Sequence, residues 1–111
     1  MAKFPKYILK RSSNYQYVWV LYAVNGEAIL SSETYVAKQG ALTGIASSKK
    51  NVADNNFHRK TSISGQPYFL QVANNGEVIG NSEMYNSIQA RENGIAAVKR
   101  DAPIAEIEDL T

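Results

Sequence analysis

Asn25-Gly26-Glu27-Ala28-Ile29-Leu30-Ser31-Ser32-Glu33-Thr34-Tyr35 is echoed fifty residues later by Asn75-Gly76-Glu77-Val78-Ile79-Gly80-Asn81-Ser82-Glu83-Met84-Tyr85. The stretches agree at Asn-Gly-Glu, at the following isoleucine, at Ser-Glu and at the tyrosine. Outward from them, Gly44-Ile45-Ala46 matches Gly94-Ile95-Ala96, and Lys10/Lys60, Ser12/Ser62, Gln16/Gln66, Ala23/Ala73, Gln39/Gln89 and Lys49/Lys99 match at the same offset. One offset without gaps marks an internal duplication, and a period near fifty residues means that a supersecondary unit is repeated. A chain of 111 residues holds one core and is too short for two ordinary domains. The copies, about 7–56 and 57–111, are therefore expected to share one core in a single compact domain spanning 1–111.

Each copy reads strand, strand, strand, helix. Residues 17–24 are β-branched and aromatic, Asn25-Gly26 suits a two-residue type I′ hairpin, and residues 27–31 return. An earlier strand over 7–11 is set off by the polar cluster Ser12-Ser13-Asn14, with Ser64-Gly65 at that place in the second copy. After Tyr35 the apolar period lengthens to three and four, predicting helices over 38–50 and 88–100. Ser87 is the expected N-cap of the second helix, whereas Ala37 should cap the first poorly. Tyr7, Phe57 and Ile107 are spaced by fifty, so 57–61 and 105–111 are both expected to be strands.

The doubled run Asn-Gly-Glu-x-Ile, Ser-Glu-x-Tyr, Gly-Ile-Ala-x-x-Lys resembles the YegP-like family of small bacterial proteins over residues 7–111. The resemblance implies an α+β fold in which tandem β(3)-α-β repeats form a single mainly antiparallel sheet with exchanged strands and two helices on one face. It implies no particular activity and no catalytic residues. Departures from the family pattern are Ala37, Leu42 and Gln71, together with apolar Val18, Val20 and Leu70 at commonly polar positions.

Composition excludes several function classes. There is no cysteine, hence no disulfide frame, thiolate metal site or thiol nucleophile. The longest apolar run, 18–24, is far shorter than a membrane-spanning helix, and the N-terminus carries no apolar leader, which favours a cytoplasmic protein. The net charge of +2 divides into a basic body and an acidic tail of Asp101, Glu106, Glu108 and Asp109. Lys10, Arg11, Arg59, Lys60, Lys49, Lys50, Lys99 and Arg100, with Tyr17, Trp19 and Tyr68 near them in sequence, admit a nucleic-acid surface. No nucleic-acid motif accompanies them, and cations at helix C-termini have a structural reason.

The candidate binding residues are Ser32, Glu33 and Tyr35 with Ser82, Glu83 and Tyr85, which place a hydroxyl, a carboxylate and a phenol at each strand-to-helix junction. The competing structural reading is that they satisfy backbone amides and cover the core edge. No histidine or lysine lies at a local spacing that would activate a serine. If the copies meet at the junctions, Glu33 and Glu83 would pair. Gly44 and Gly94 within helices point to close approach of helix to sheet. His58, the single histidine, matches Ile8, so no duplicated catalytic or metal role falls to it. No metal and no cofactor is expected, and the reading is a non-enzymatic binding or interaction module with nucleic-acid binding as the alternative.

The second strands divide by alternation into Trp19, Leu21, Ala23, Phe69, Gln71, Ala73 and Val18, Val20, Tyr22, Tyr68, Leu70, Val72. Hydrophobicity alone would bury the second set. The repeat favours the first, because Ala23/Ala73 are identical and Trp19/Phe69 are both aromatic. Val20, Tyr22, Tyr68 and Leu70 then become a candidate face for a partner or for self-association.

Overall fold

The computed structural model describes residues 3–111. The first copy supplies β1 (Lys6–Arg11), β2 (Tyr17–Tyr22), β3 (Ala28–Ser32) and α1 (Lys38–Lys50). The second supplies β4 (Phe57–Thr61), β5 (Pro67–Val72), β6 (Val78–Asn81), α2 (Ile88–Asp101) and β7 (Glu106–Asp109). The seven strands form one sheet in the order β4-β5-β6-β3-β2-β1-β7. Every pairing is antiparallel except that of β7, which crosses back to lie parallel to β1 of the first copy. The copies join at the antiparallel contact of β3 with β6, where Ser31 faces Asn81 and Ser32 faces Gly80.

The turns differ from expectation. Gly26 takes φ +86° and Gly76 +89°, but neither asparagine has positive φ, so the pair does not form a type I′ turn. Instead Gly26 N–H donates to Ala23 O at 2.8 Å and Ala23 N–H to Glu27 O at 2.8 Å, which closes a three-residue loop with its left-handed residue last. The asparagine holds the loop through its side chain, since Asn25 Oδ1 accepts from Glu27 N–H at 3.0 Å, and Asn75 repeats this with Glu77. Val24 accordingly falls in the loop. The β1–β2 and β4–β5 turns use the same closure, with Tyr15 (φ +64°) at the place of Gly65 (φ +86°).

Ser87 caps α2 through Oγ, which accepts from Ala90 N–H at 3.0 Å, whereas Ala37 gives α1 no side-chain cap. Both helices lie on one face of the sheet, each over its own copy's middle strand and the other copy's last: α1 over β2 and β6, α2 over β5 and β3. Trp19, Leu21, Phe69 and Gln71 are fully buried beneath them, so the set favoured by the repeat is the core set. Val18, Val20, Tyr22, Tyr68 and Leu70 are half-buried on the open face, and Val72, cross-strand from Val78, is buried. Full burial of each large apolar side chain contributes about 1.5–3 kcal/mol, which explains why a shared core outweighs two small ones.

Candidate functional site

The junction serines are occupied by the fold. Ser32 Oγ accepts from Trp19 N–H at 3.0 Å and donates to Glu33 O at 2.7 Å; Ser82 does the same with Phe69 N–H and Glu83 O at 2.9 and 2.8 Å. Both are buried and bridge adjacent strands rather than capping a helix. Tyr35 is held by two backbone hydrogen bonds to Tyr17, and Tyr85 by one to Pro67 O, because proline lacks the second donor.

The tyrosine rings explain the helical glycines. A Cβ on Gly44 would stand 2.9 Å from Tyr35 Cζ, nearer still to its hydroxyl, and 3.1 Å from Trp19 Nε1. On Gly94 it would stand 2.7 Å from Tyr85 Cζ and 3.3 Å from Phe69 Cε2. The close approach is thus of helix to a tyrosine wedged just beyond the end of a central strand, not of helix to bare sheet. The Phe69 and Tyr85 rings stack 10° from parallel with centroids 6.3 Å apart.

Above each tyrosine opens a cleft assembled from both copies. One, of about 650 Å³, lies between the β2–β3 hairpin of the first copy, carrying Glu27, and Glu83, Tyr85 and α2 of the second. The other, of about 330 Å³, lies between the β5–β6 hairpin, carrying Glu77, and Glu33, Tyr35 and α1. Eleven of the twelve residues lining the first have their fifty-residue counterpart lining the second; Arg100 is the exception. Seven of these eleven pairs are the same residue type, against sixteen over the first fifty positions of the chain. The carboxylates therefore meet across the copies, but as Glu27 with Glu83 and Glu77 with Glu33. Glu33 and Glu83, which would pair if the copies met at the junctions, line separate clefts.

Electrostatics follows from this arrangement. Burial pushes the Tyr85 hydroxyl above its ordinary pKa, and Glu83 and Glu27 both add to the shift. Burial likewise raises Tyr35; the Trp19 indole N–H opposes and Glu33 reinforces it. That N–H lies near enough to the Tyr35 hydroxyl to act on it electrostatically, yet falls short of hydrogen-bond geometry. It is the one buried side-chain polar atom without a partner among the described residues. Glu27 accepts from Asn25 Nδ2 at 3.1 Å and Glu77 from Asn75 Nδ2 at 2.9 Å, but the exposed carboxylates of Glu33 and Glu83 make no hydrogen bond or ion pair among the described residues. Arg100 is turned away to Asp101, bonding it through Nε and Nη2 at 2.7 and 2.8 Å.

Half of the twelve basic residues are similarly committed to ion pairs. Arg59 pairs with Asp54 and Glu92 at 3.0 Å each, Lys99 with Asp54 at 3.0 Å, Arg91 with Glu92 at 3.1 Å and Lys38 with Asp109 at 2.6 Å. His58 is exposed on β4. Among the described residues no cluster of histidine, aspartate and glutamate could hold a metal ion, and no helix is long and apolar enough to cross a membrane. On the open face, Tyr68, Leu70, Val78, Met84 and Ile63 line a mainly apolar groove of about 730 Å³ with Glu33 at its rim.

These features define a class: tandem β(3)-α-β repeats on one sheet, with paired cross-copy clefts. The chain belongs to the family described as Domain of unknown function (DUF1508), whose model matches it twice, over residues 12–57 and 63–109. It is 48% identical over 106 residues to a UPF0339 protein of Bordetella pertussis, covering 95% of this chain and 96% of that one. A UPF0339 protein of Acinetobacter baylyi is 43% identical with the same coverage. The solution structure of UPF0339 protein SO3888 from Shewanella oneidensis superposes with a TM-score of 0.90 at 42% identity, covering 96% of this chain and 91% of that one. That of yegP from Escherichia coli, a protein of unknown function, gives a TM-score of 0.90 at 41% identity over 100% and 95%.

Proposed function

We propose that the protein is a non-enzymatic binding module whose ligand sites are the two cross-copy clefts, and that each cleft takes an organic cation. The carrying observation is that the residues kept alike since the duplication gather around the clefts, while Glu33 and Glu83 among them have no structural employment. The other shared residues do: the asparagines shape turns, the serines bridge strands, and the glycines make room for the tyrosines. Two carboxylates beside a half-buried phenol leave each cleft with negative charge that no lining cation neutralises, since Arg100 is held by Asp101. An ammonium group entering there gains charge-assisted hydrogen bonds. A catalytic reading draws less support, because the clefts bring together no nucleophile with a base. A nucleic-acid reading is opposed by the ion pairs that occupy Lys38, Arg59, Arg91, Lys99 and Arg100.

The test is titration with spermidine and with n-butylamine, acetate serving as control, followed by amide chemical shifts and Trp19 fluorescence. Trp19 lies under the Tyr35 cleft alone, so it reports one site, while the shifts report both. Glu83→Gln should remove the response around Tyr85 and leave that around Tyr35; Glu33→Gln should do the reverse. Absence of saturable shifts, or shifts confined to the acidic 106–109 segment, refutes the reading.

A further inference from the structure

The sheet's open face has no covering element among the described residues, and the strand register sets out its chemistry in rows. One row runs from His58 through Leu70, Asn81, Ser31, Val20 and Ile8 to Glu108, one residue from each strand. On the adjoining row Lys60 pairs with Tyr68 at one edge, and Tyr22 with Lys6 and Glu106 at the other. Leu70 and Tyr68 on one side and Val20, Tyr22 and Ile8 on the other thus flank a polar centre of Asn81 and Ser31, with a basic edge of His58 and Lys60 on β4 and a carboxylate edge of Glu106 and Glu108 on β7. Lys60 and Glu106 are exposed, and Glu108 already holds Lys6 Nζ at 2.6 Å.

We propose that this face pairs with the same face of a second copy about a two-fold axis running parallel to the strands over β3. Rotation about that axis preserves position along the strands and reverses their order. It lays β4 of one copy over β7 of the other, so that Lys60 meets Glu106 and His58 meets Glu108, each twice. Leu70 then faces Ile8, Asn81 faces Val20, and Ser31 meets its own copy on the axis, where the two hydroxyls can bond. A two-fold axis perpendicular to the strands would instead stack β4 on β4 and lysine on lysine, so charge selects the first geometry.

The area agrees with a specific but moderate dimer. Seven strands at about 4.8 Å spacing, with three rows of side chains about 7 Å apart, make a face of roughly 30 by 20 Å, and two such faces bury about 1,200 Å² in total. That lies at the lower end of the areas that specific interfaces bury. Apolar side chains gathered on an uncovered antiparallel sheet face, which is normally polar, are the usual mark of such a contact.

The test is sedimentation equilibrium of the full chain from about 1 µM to about 1 mM. The expected result is a monomer–dimer equilibrium that Leu70→Lys abolishes. Lys60→Glu and Glu106→Lys should each weaken dimerisation about tenfold, because each pair occurs twice, and the double charge swap should restore it. These two substitutions alter exposed residues, so a retained melting curve shows that the fold persists even where Leu70→Lys unfolds the chain. A chain monomeric throughout overturns the proposal, as does a dimer that the charge swap fails to restore, or a monomer that instead captures a different protein on this face. The Tyr85 cleft shares no lining residue with the open-face groove, so its response to ammonium ligands stays separable from these outcomes, whereas Glu33 and Val78 line both that groove and the Tyr35 cleft.

Discussion

Replacing Gln71 by leucine tests the buried polar network that distinguishes the two halves of the core. Tyr7 Oη lies 2.7 Å from Ser48 Oγ, which donates to Gln71 Oε1 at 2.8 Å. Gln71 Nε2 donates to Ser48 O at 2.9 Å and to Asn51 O at 2.7 Å, closing carbonyls at the end of α1. Tyr7, Ser48 and Gln71 are all fully buried. Their counterparts at the fifty-residue offset are Phe57, Val98 and Leu21, also buried, so the other half fills the same space without a polar atom. In Gln71→Leu, two carbonyls lose their amide donor and the serine hydroxyl loses its acceptor. Each buried polar group left unpaired costs about 1–3 kcal/mol, the serine can turn back to its own helix, and the added leucine recovers part, so the net loss is about 2–4 kcal/mol. Adding Tyr7→Phe and Ser48→Val copies the apolar half, removes the stranded serine hydroxyl together with its tyrosine partner, and should recover about 1–2 kcal/mol. Urea unfolding of wild type, single and triple variants at constant m-value measures this. A triple variant no more stable than Gln71→Leu, or losses that add, would refute the network argument.

Other expectations follow from the same geometry. Gly94→Leu should destabilise by about 3 kcal/mol or more, since its side chain drives into Tyr85, whereas Gly65→Ala, in an open turn at φ +86°, should cost about 1 kcal/mol in thermal melts. Tyr15→Gly should be neutral or slightly stabilising, because Tyr15 adopts at φ +64° what glycine takes freely. Deleting residues 105–111 exposes β1 as an edge and removes the Lys6–Glu108 ion pair, so the melting temperature should fall. In acid, Asp101 is held below the usual carboxylate range by Arg100 and the Val24 N–H, and Asp109 is lowered to about 2 by Lys38 and Thr111. A folded-state pKa below the unfolded one gives stability that is present above about pH 4 and lost as pH falls through the folded value. The melting temperature should therefore drop between pH 4 and 2, and Asp101→Asn should flatten that slope.

Several features were legible in the sequence because they depend on local rules. The helix spans, the Ser87 cap, the β4 strand and the choice of buried face follow from periodicity, capping chemistry and the fifty-residue echo. The turns were misassigned for a physical reason. Asn-Gly satisfies both a two-residue turn and a three-residue one, and only the Asn25 side-chain bond to Glu27 N–H selects the latter. The glycine argument reached close packing but not its partner, since Tyr35 and Gly44 belong to different elements. The cross-copy clefts were illegible because they depend on β3 lying beside β6, which turns Glu33 toward Glu77 and away from Glu83. Gln71 read as a polar intruder in an apolar strand, since nothing local reveals Ser48 and Tyr7 as its partners.

The duplication also shows where the copies have been free to part. Around the clefts they remain alike although the residues come from opposite halves, and a substitution in one hairpin acts on the other copy's tyrosine. In the core they have exchanged a polar trio for an apolar one of similar volume, which is tolerated because each trio is complete. On the open face they differ more sharply. Ile63 and Met84 line the groove where the first copy has Ser13 and Thr34. No burial in the chain accounts for that gain in apolar character, since Ile63 is fully exposed and Met84 48% exposed. Stability alone would leave such positions polar, as the first copy does. Their apolar character is therefore read most directly as serving contact with another surface, and it lies at the same end of the sheet as Tyr22 and Lys60, the row on which the proposed two-fold pairing brings unlike charges together.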